Sequence, residues 1–162
     1  MSTRSAIGIK LEDGRIKSIY CHSDGYLEYN GKILLRHYSD LKKIKKLLSF
    51  GDLSSLGENI EPEVGKKHNF EFSERQEGVC VFYNRDRGDS KKDTKARILE
   101  DEFYFVEHYC WSEYFYLWKD GRWLVCCYYD DSFGEPVEDY NGEKFYELKT
   151  LIDQIENKEK NV

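Results

Sequence analysis

The stretch EYFYLWKDGRWLVCC, residues 113–127, constrains the fold more than any other. Two aromatic runs flank Asp120-Gly121, and an Asp-Gly pair between alternating runs is a strong short-range hairpin signal. Side chains alternate along a strand. On the first run Tyr114, Tyr116 and Trp118 therefore share one face, and Phe115 and Leu117 share the other. Both faces are apolar or amphipathic, which places this hairpin in the middle of a sheet.

A second hairpin is predicted at the start. In SAIGIKL, residues 5–11, Ile7, Ile9 and Leu11 share a face. Asp13-Gly14 supplies the turn, and IKSIYC, residues 16–21, returns. Composition agrees with a strand-rich core. The chain has 13 Tyr, 9 Phe, 3 Trp and only two prolines, and Met1 is its sole methionine. Such a core is aromatic, β-branched and leucine-rich, which favours strands.

Between these hairpins the period changes. Ile33, Leu34, His37, Tyr38, Leu41, Ile44, Leu47 and Leu48 recur at three and four, the spacing of one helix or two short ones. Ser39 is the expected N-cap of the second, and Gly51 its end. Lys42, Lys43, Lys45 and Lys46 read as a solvated face. Residues 51–78 hold Gly, Ser and Pro at short intervals and read as an irregular connector. GVCVFY, residues 78–83, reads as a buried strand, and NRDRGDSKKDTK, residues 84–95, as an exposed polar loop. ILEDEFYFVEHYC, residues 98–110, suits a strand or a short helix, with the helix preferred. From about Gly142 the chain is expected to be helical, with Phe145, Leu148, Leu151, Ile152 and Ile155 on one stripe and residues 157–162 frayed. The sum is an α+β single domain over 1–162: an antiparallel sheet built from hairpins, with helices on one face.

The formal net charge is −6, with 31 acidic and 25 basic residues. Duplex-binding proteins usually carry a basic balance, so duplex nucleic acid is not the expected partner. The acidic excess is also too small for a nucleic-acid mimic. Cys21, Cys80, Cys110, Cys126 and Cys127 are odd in number and lack CxxC spacing. They read as free thiols in a reducing cytosol. No signal peptide or membrane-length apolar run is visible, so the expectation is an intracellular protein away from membranes.

Three places carry candidate chemistry. In FYNRDRG, residues 82–88, Tyr83, Arg85 and Arg87 share parity if the segment is extended. Two guanidiniums on one face can grip a phosphate or carboxylate, and Tyr83 can stack on a base. A solvated Arg-Asp loop explains the same residues equally well. In YCHSDGY, residues 20–26, Cys21 and His22 point to opposite faces of a strand, while His22 and Asp24 can share one. A structural turn with a hydrogen-bonded histidine is the plainer reading; a ligand site including Tyr26 comes second, and catalysis third. Arg4 opens the first strand, at the sheet end where that turn lies. His22, His37, His68 and His108 lack the paired spacing of a metal site. No phosphate-loop, dinucleotide, GxSxG or HExxH pattern occurs, and neither metal nor cofactor is expected.

Taken together, MSTRSAIGI, IYCHSDGY, GKILLRHY, LLSFGDLSSLG and VFYNRDRG resemble a family of small proteins encoded by bacteriophages and prophages. The likeness covers roughly the first 90 residues. Members of that family usually carry tryptophan where Ser23 stands here, so any ligand contact made by that tryptophan is missing. The resemblance brings no established reaction. It implies a phage setting in the cytoplasm of the host bacterium and, by analogy with other small phage proteins, a role in countering host defence. The expected activity is sequestration of an anionic, nucleotide-like immune signal by Arg4, His22, Asp24, Tyr26, Tyr83, Arg85 and Arg87, with a pocket shared in a homo-oligomer. Inhibition of a host defence protein is the second reading. A small hydrolase using His22 and Asp24 as base and orienter is the third.

Overall fold

The computed structural model describes residues 2–127 and 133–161. In chain order the strands and helices are β1 (Ser5–Lys10), β2 (Ile16–Cys21), α1 (Lys32–His37), α2 (Leu41–Ser49), β3 (Leu53–Ser55), β4 (Val81–Phe82), α3 (Tyr83–Arg87) and α4 (Lys91–Thr94). There follow β5 (Arg97–Leu99), α5 (Glu102–His108), β6 (Tyr114–Lys119), β7 (Arg122–Cys127), β8 (Glu138–Tyr140), β9 (Glu143–Glu147) and α6 (Leu148–Lys160). A π-helical turn, Leu27–Gly31, leads into α1.

Both Asp-Gly hairpins are present. Asp120 and Gly121 have φ of 53° and 77° between the paired Lys119 and Arg122, the left-handed pair that a two-residue turn needs. The first hairpin closes through Leu11 N–H to Arg15 O at 2.8 Å, with Gly14 at φ 92°. A third hairpin replaces the helix expected from Gly142. Asn141 and Gly142, at φ 53° and 93°, turn β8 into β9, and the helix starts only at Leu148. Phe145 is therefore a strand residue. The helix also continues to Lys160 rather than fraying at residue 157.

The sheet runs β4-β3-β2-β1-β6-β7-β9-β8, with β5 also on β2. It is mixed but mostly antiparallel: β1 runs parallel to β6 and β2 to β3. Strand alternation divides the core. Ile7, Ile9, Ile19, Tyr116, Trp123 and Val125 pack under α1, α2 and α6. Ala6, Ile16, Phe115, Leu117, Leu124 and Phe145 meet Phe105 and Val106 of α5 on the other face. Gly8 permits that approach, since a Cβ there would lie 2.9 Å from Ile16 and 3.3 Å from Phe105. The fold is thus α+β, with three helices on one face and α5 on the opposite one.

Local chemistry moved several boundaries. Asp40, not Ser39, caps α2 by accepting from Lys42 N–H at 3.1 Å. Gly51, at φ 83°, ends it. Residues 84–95 are not one open loop, because Asp86 reaches back to Phe82 N–H at 2.8 Å and the chain coils into α3. Residues 51–78 remain largely irregular but include β3 and a 3₁₀ turn at Phe72–Glu74.

Candidate functional site

The helical turn α3 separates the two arginines of FYNRDRG. Arg85 is turned into the protein. It donates to Ile60 O at 2.7 Å, to Cys80 O at 2.9 Å and to both carboxylate oxygens of Asp86. Its guanidinium also lies 4.8 Å from the Phe82 ring centre. Arg87 points elsewhere. It grips Asp89 through two contacts of 2.6 and 2.7 Å and covers Tyr83 at 4.5 Å. The shared parity expected for an extended segment is lost, and the pair forms no clamp.

The turn after β2 does meet Arg4. Ser5 pairs with Cys21, so Arg4 and His22 lie opposite each other at one sheet end. His22 shares a 2.9 Å hydrogen bond between Nδ1 and Tyr20 Oη. Its imidazole is held below the usual pKa by burial and, secondarily, by Arg4. Asp24 is not its partner. That residue takes a left-handed φ of 56°, and its carbonyl accepts Asn30 N–H. Tyr26 precedes the π-helical turn and packs its ring 6.3 Å from Tyr29. The His22–Asp24 pairing that a base and orienter require is absent from this arrangement.

A cavity of about 460 Å³ opens beside this end, lined by Arg4, Tyr20, Asp52, Arg97, His108, Tyr109 and Trp111. Its floor is a closed charge pair. Arg97, on β5, donates to the two Asp52 oxygens at 2.8 and 2.7 Å. Asp52 also accepts Tyr20 N–H at 2.9 Å, while its own backbone bonds Thr94 O and Tyr83 N–H. This nearly buried carboxylate joins β2, β3, α3 and α4, and its lone pairs serve positioning. Tyr109 Oη completes the floor, 2.8 Å from Ser18 Oγ and 3.4 Å from Arg97.

The walls differ from the floor. Arg4, His108 and Trp111 are exposed, and Tyr20 is half-buried. Glu113 N–H donates to Arg4 O, which fixes that residue's backbone. No carboxylate among the described residues pairs with the Arg4 side chain. Burial pushes Tyr20 up to about 12 and holds His108 low, with Arg97 adding to the latter. One imidazole, two phenols, a free guanidinium and an indole thus face one space, above the Asp52–Arg97 pair. The cavity lies in the size range of small-molecule sites.

Of the residues expected from sequence, Arg4 lines this cavity and His22 adjoins it through Tyr20. Tyr83 bonds the backbone of Asp52 beneath it. Asp24 lines a different cleft of about 290 Å³. Tyr20, Asp52, Arg97, His108, Tyr109 and Trp111 were not expected as a set, because they come from four separated segments and no motif spans them. Two of them lie in stretches that stood out in the sequence, Tyr20 at the start of YCHSDGY and Asp52 inside GDLSSLG. Among the described residues no group of three His, Cys, Asp or Glu is placed to hold a metal ion, and no helix is long and apolar enough to cross a membrane. No family model, curated protein or solved structure matches this chain.

Proposed function

We propose that the chain is a binding protein for a small anionic ligand of nucleotide type, held unchanged in the Arg4–Tyr20–Trp111 cavity. The observation that carries this reading is the unpaired Arg4 guanidinium beside an exposed indole, above a floor whose own charges are already paired. An anion meets Arg4, and a flat base meets Trp111 or Tyr20. His108 is neutral near pH 7 and offers a hydrogen bond. Binding is favoured over turnover because Asp52 spends its oxygens on Arg97 and Tyr20 N–H. The likeness of the first 90 residues to phage-encoded proteins supports the setting proposed for this activity: removal of an immune signal inside an infected bacterium.

Calorimetric titration with AMP, ADP-ribose and cyclic dinucleotides tests the reading. Binding of at least one, weakened about tenfold to a hundredfold by Arg4→Ala, fits the loss of a charge-assisted contact of roughly 1.5–3 kcal/mol. Recovery of an altered ligand from the mixture would replace sequestration by catalysis.

A further inference from the structure

At the sheet end that carries the 20–26 turn, an aromatic ring stands out in solvent. Phe72 is 86% exposed, more than any other aromatic among the described residues. The irregular segment bearing it is nevertheless fixed. The Gln76 side chain accepts Glu63 N–H at 2.7 Å and donates to the carbonyls of Glu63 and Lys66 at 3.3 and 3.2 Å. His68 uses both ring nitrogens, accepting from Gln76 N–H at 2.9 Å and donating to Cys80 O at 3.0 Å. Arg75 donates to Phe70 O and lies 5.3 Å from the Phe72 ring centre. A projecting ring on a pre-ordered segment loses little conformational entropy on docking. Asp24 and Glu77 line the adjacent cleft, and neither forms an ion pair among the described residues.

The opposite sheet end holds the complement. A cavity of about 210 Å³ is lined by Leu35, Trp118 and Trp123 together with Arg122, Lys149 and the acidic Glu147. The two indoles meet edge to face at 5.4 Å, and Trp123 is anchored by donating to Tyr38 O at 2.8 Å. A cavity of about 150 Å³ holds a benzene ring, so a phenyl group fits here and meets aromatic walls. Arg122 and Lys149 are paired with Glu147 and Asp153 at the surface. Such exposed pairs are worth little and can exchange partners.

Strand register places these features apart. Ser5 aligns with both Cys21 and Tyr114, so Asp24 lies beyond one end of the strands. Trp118 and Gly121 lie at the other. A chain cannot fill its own cavity.

We propose that Phe72 of one copy inserts into the Leu35–Trp118–Trp123 cavity of a second copy, with Asp24 and Glu77 facing Arg122 and Lys149. The contact is head-to-tail, so it leaves a free ring and a free cavity at the ends of any pair and propagates to closed rings or open chains. It involves none of the residues of the Arg4 cavity.

Sedimentation velocity over a range of concentrations tests this, with circular dichroism to verify that each variant folds. The unmutated chain should self-associate. Phe72→Ala should raise the dissociation constant at least about tenfold, as for a central aromatic anchor. Lys149→Glu should weaken association too. Mixing these two variants should restore one contact only, between intact ring and intact cavity, and give 1:1 dimers that grow no further. A photoreactive phenylalanine at position 72 should crosslink to peptides containing Trp118 or Trp123 of another copy. A monomer at every concentration, association indifferent to Phe72→Ala, or crosslinks to other segments would each overturn the proposal.

Discussion

Arg97 grips Asp52 through two parallel contacts of 2.8 and 2.7 Å, and this pair holds the floor of the proposed cavity. Asp52 has 9% of its side chain exposed and Arg97 29%. Removing one partner leaves the other charge nearly buried and alone. Arg97→Ala should therefore destabilise the fold by about 3 kcal/mol, read as a lower urea midpoint with an unchanged slope. Replacement of the carboxylate as well should recover part of the loss. Equal stability of Arg97→Ala and the unmutated chain would reduce the pair to a surface contact.

Arg85 should behave as a structural residue. Its donors are spent on Ile60 O, Cys80 O and Asp86, and hydrogen bonds from charged groups contribute about 1.5–3 kcal/mol each. Arg85→Ala is expected to lower stability by about 2 kcal/mol or more and to leave affinity for the nucleotide panel unchanged in the folded fraction. Arg87→Ala should alter neither by much, since its Asp89 pair is exposed. Loss of binding in Arg87→Ala with full stability would return the clamp to consideration.

The same contrast shows how much of the protein was legible in its sequence. Asp13-Gly14 and Asp120-Gly121 announced their hairpins because a left-handed pair is a local requirement met by local residues. Asn141-Gly142 carried an equally strong signal, but the stripe from Phe145 to Ile155 suggested a helix and hid it. Leu148 onward obeys the helical period, whereas Phe145 obeys β9, which pairs with β7 and β8. The site was less legible. Arg4 and His22 were placed together by antiparallel register, a relation that spans few residues. Arg97, Trp111 and Asp52 converge only through β5 docking on β2 and α5 crossing the sheet, and no spacing in the chain encodes that.

The Asn141-Gly142 turn offers a direct check on this account. Gly142→Ala places a Cβ at φ 93°, where side chains are strained. It should destabilise the chain by about 1 kcal/mol or more, measured by thermal unfolding. A helix at this position would be stabilised by the same change.

Acid should weaken the protein through its imidazoles. Burial lowers the pKa of His22 and His108 from 6.5 in the folded state. The unfolded chain therefore binds protons first as pH falls, and stability rises with pH in that interval. The contribution is complete above about 6.5, the unfolded value, and is lost as pH falls through the lower folded values. Imidazole proton resonances should titrate below 6.5 for both residues. A midpoint above that value for either would reverse the sign.

The thiols should separate by burial. All five are free, with Cys21, Cys80 and Cys126 buried, Cys127 intermediate and Cys110 exposed. Burial pushes Cys21 and Cys126 up to about 12. A thiol reagent on the native chain should label Cys110 first and Cys21 and Cys80 only on unfolding. Counting under denaturing, non-reducing conditions should recover five. Early labelling of Cys21 would mean that the sheet end beside the cavity opens in the native state.

Nuclear magnetic resonance locates the ligand on the protein directly, with AMP, ADP-ribose or a cyclic dinucleotide added to isotope-labelled protein. Binding in the Arg4–Tyr20–Trp111 cavity should give shifts centred on Arg4 Nε, the Trp111 indole, the Tyr20 amide and the His108 ring, with Arg85 and Arg87 little changed. Shifts centred on residues 83–88, or no shift with any ligand at millimolar concentration, would contradict it.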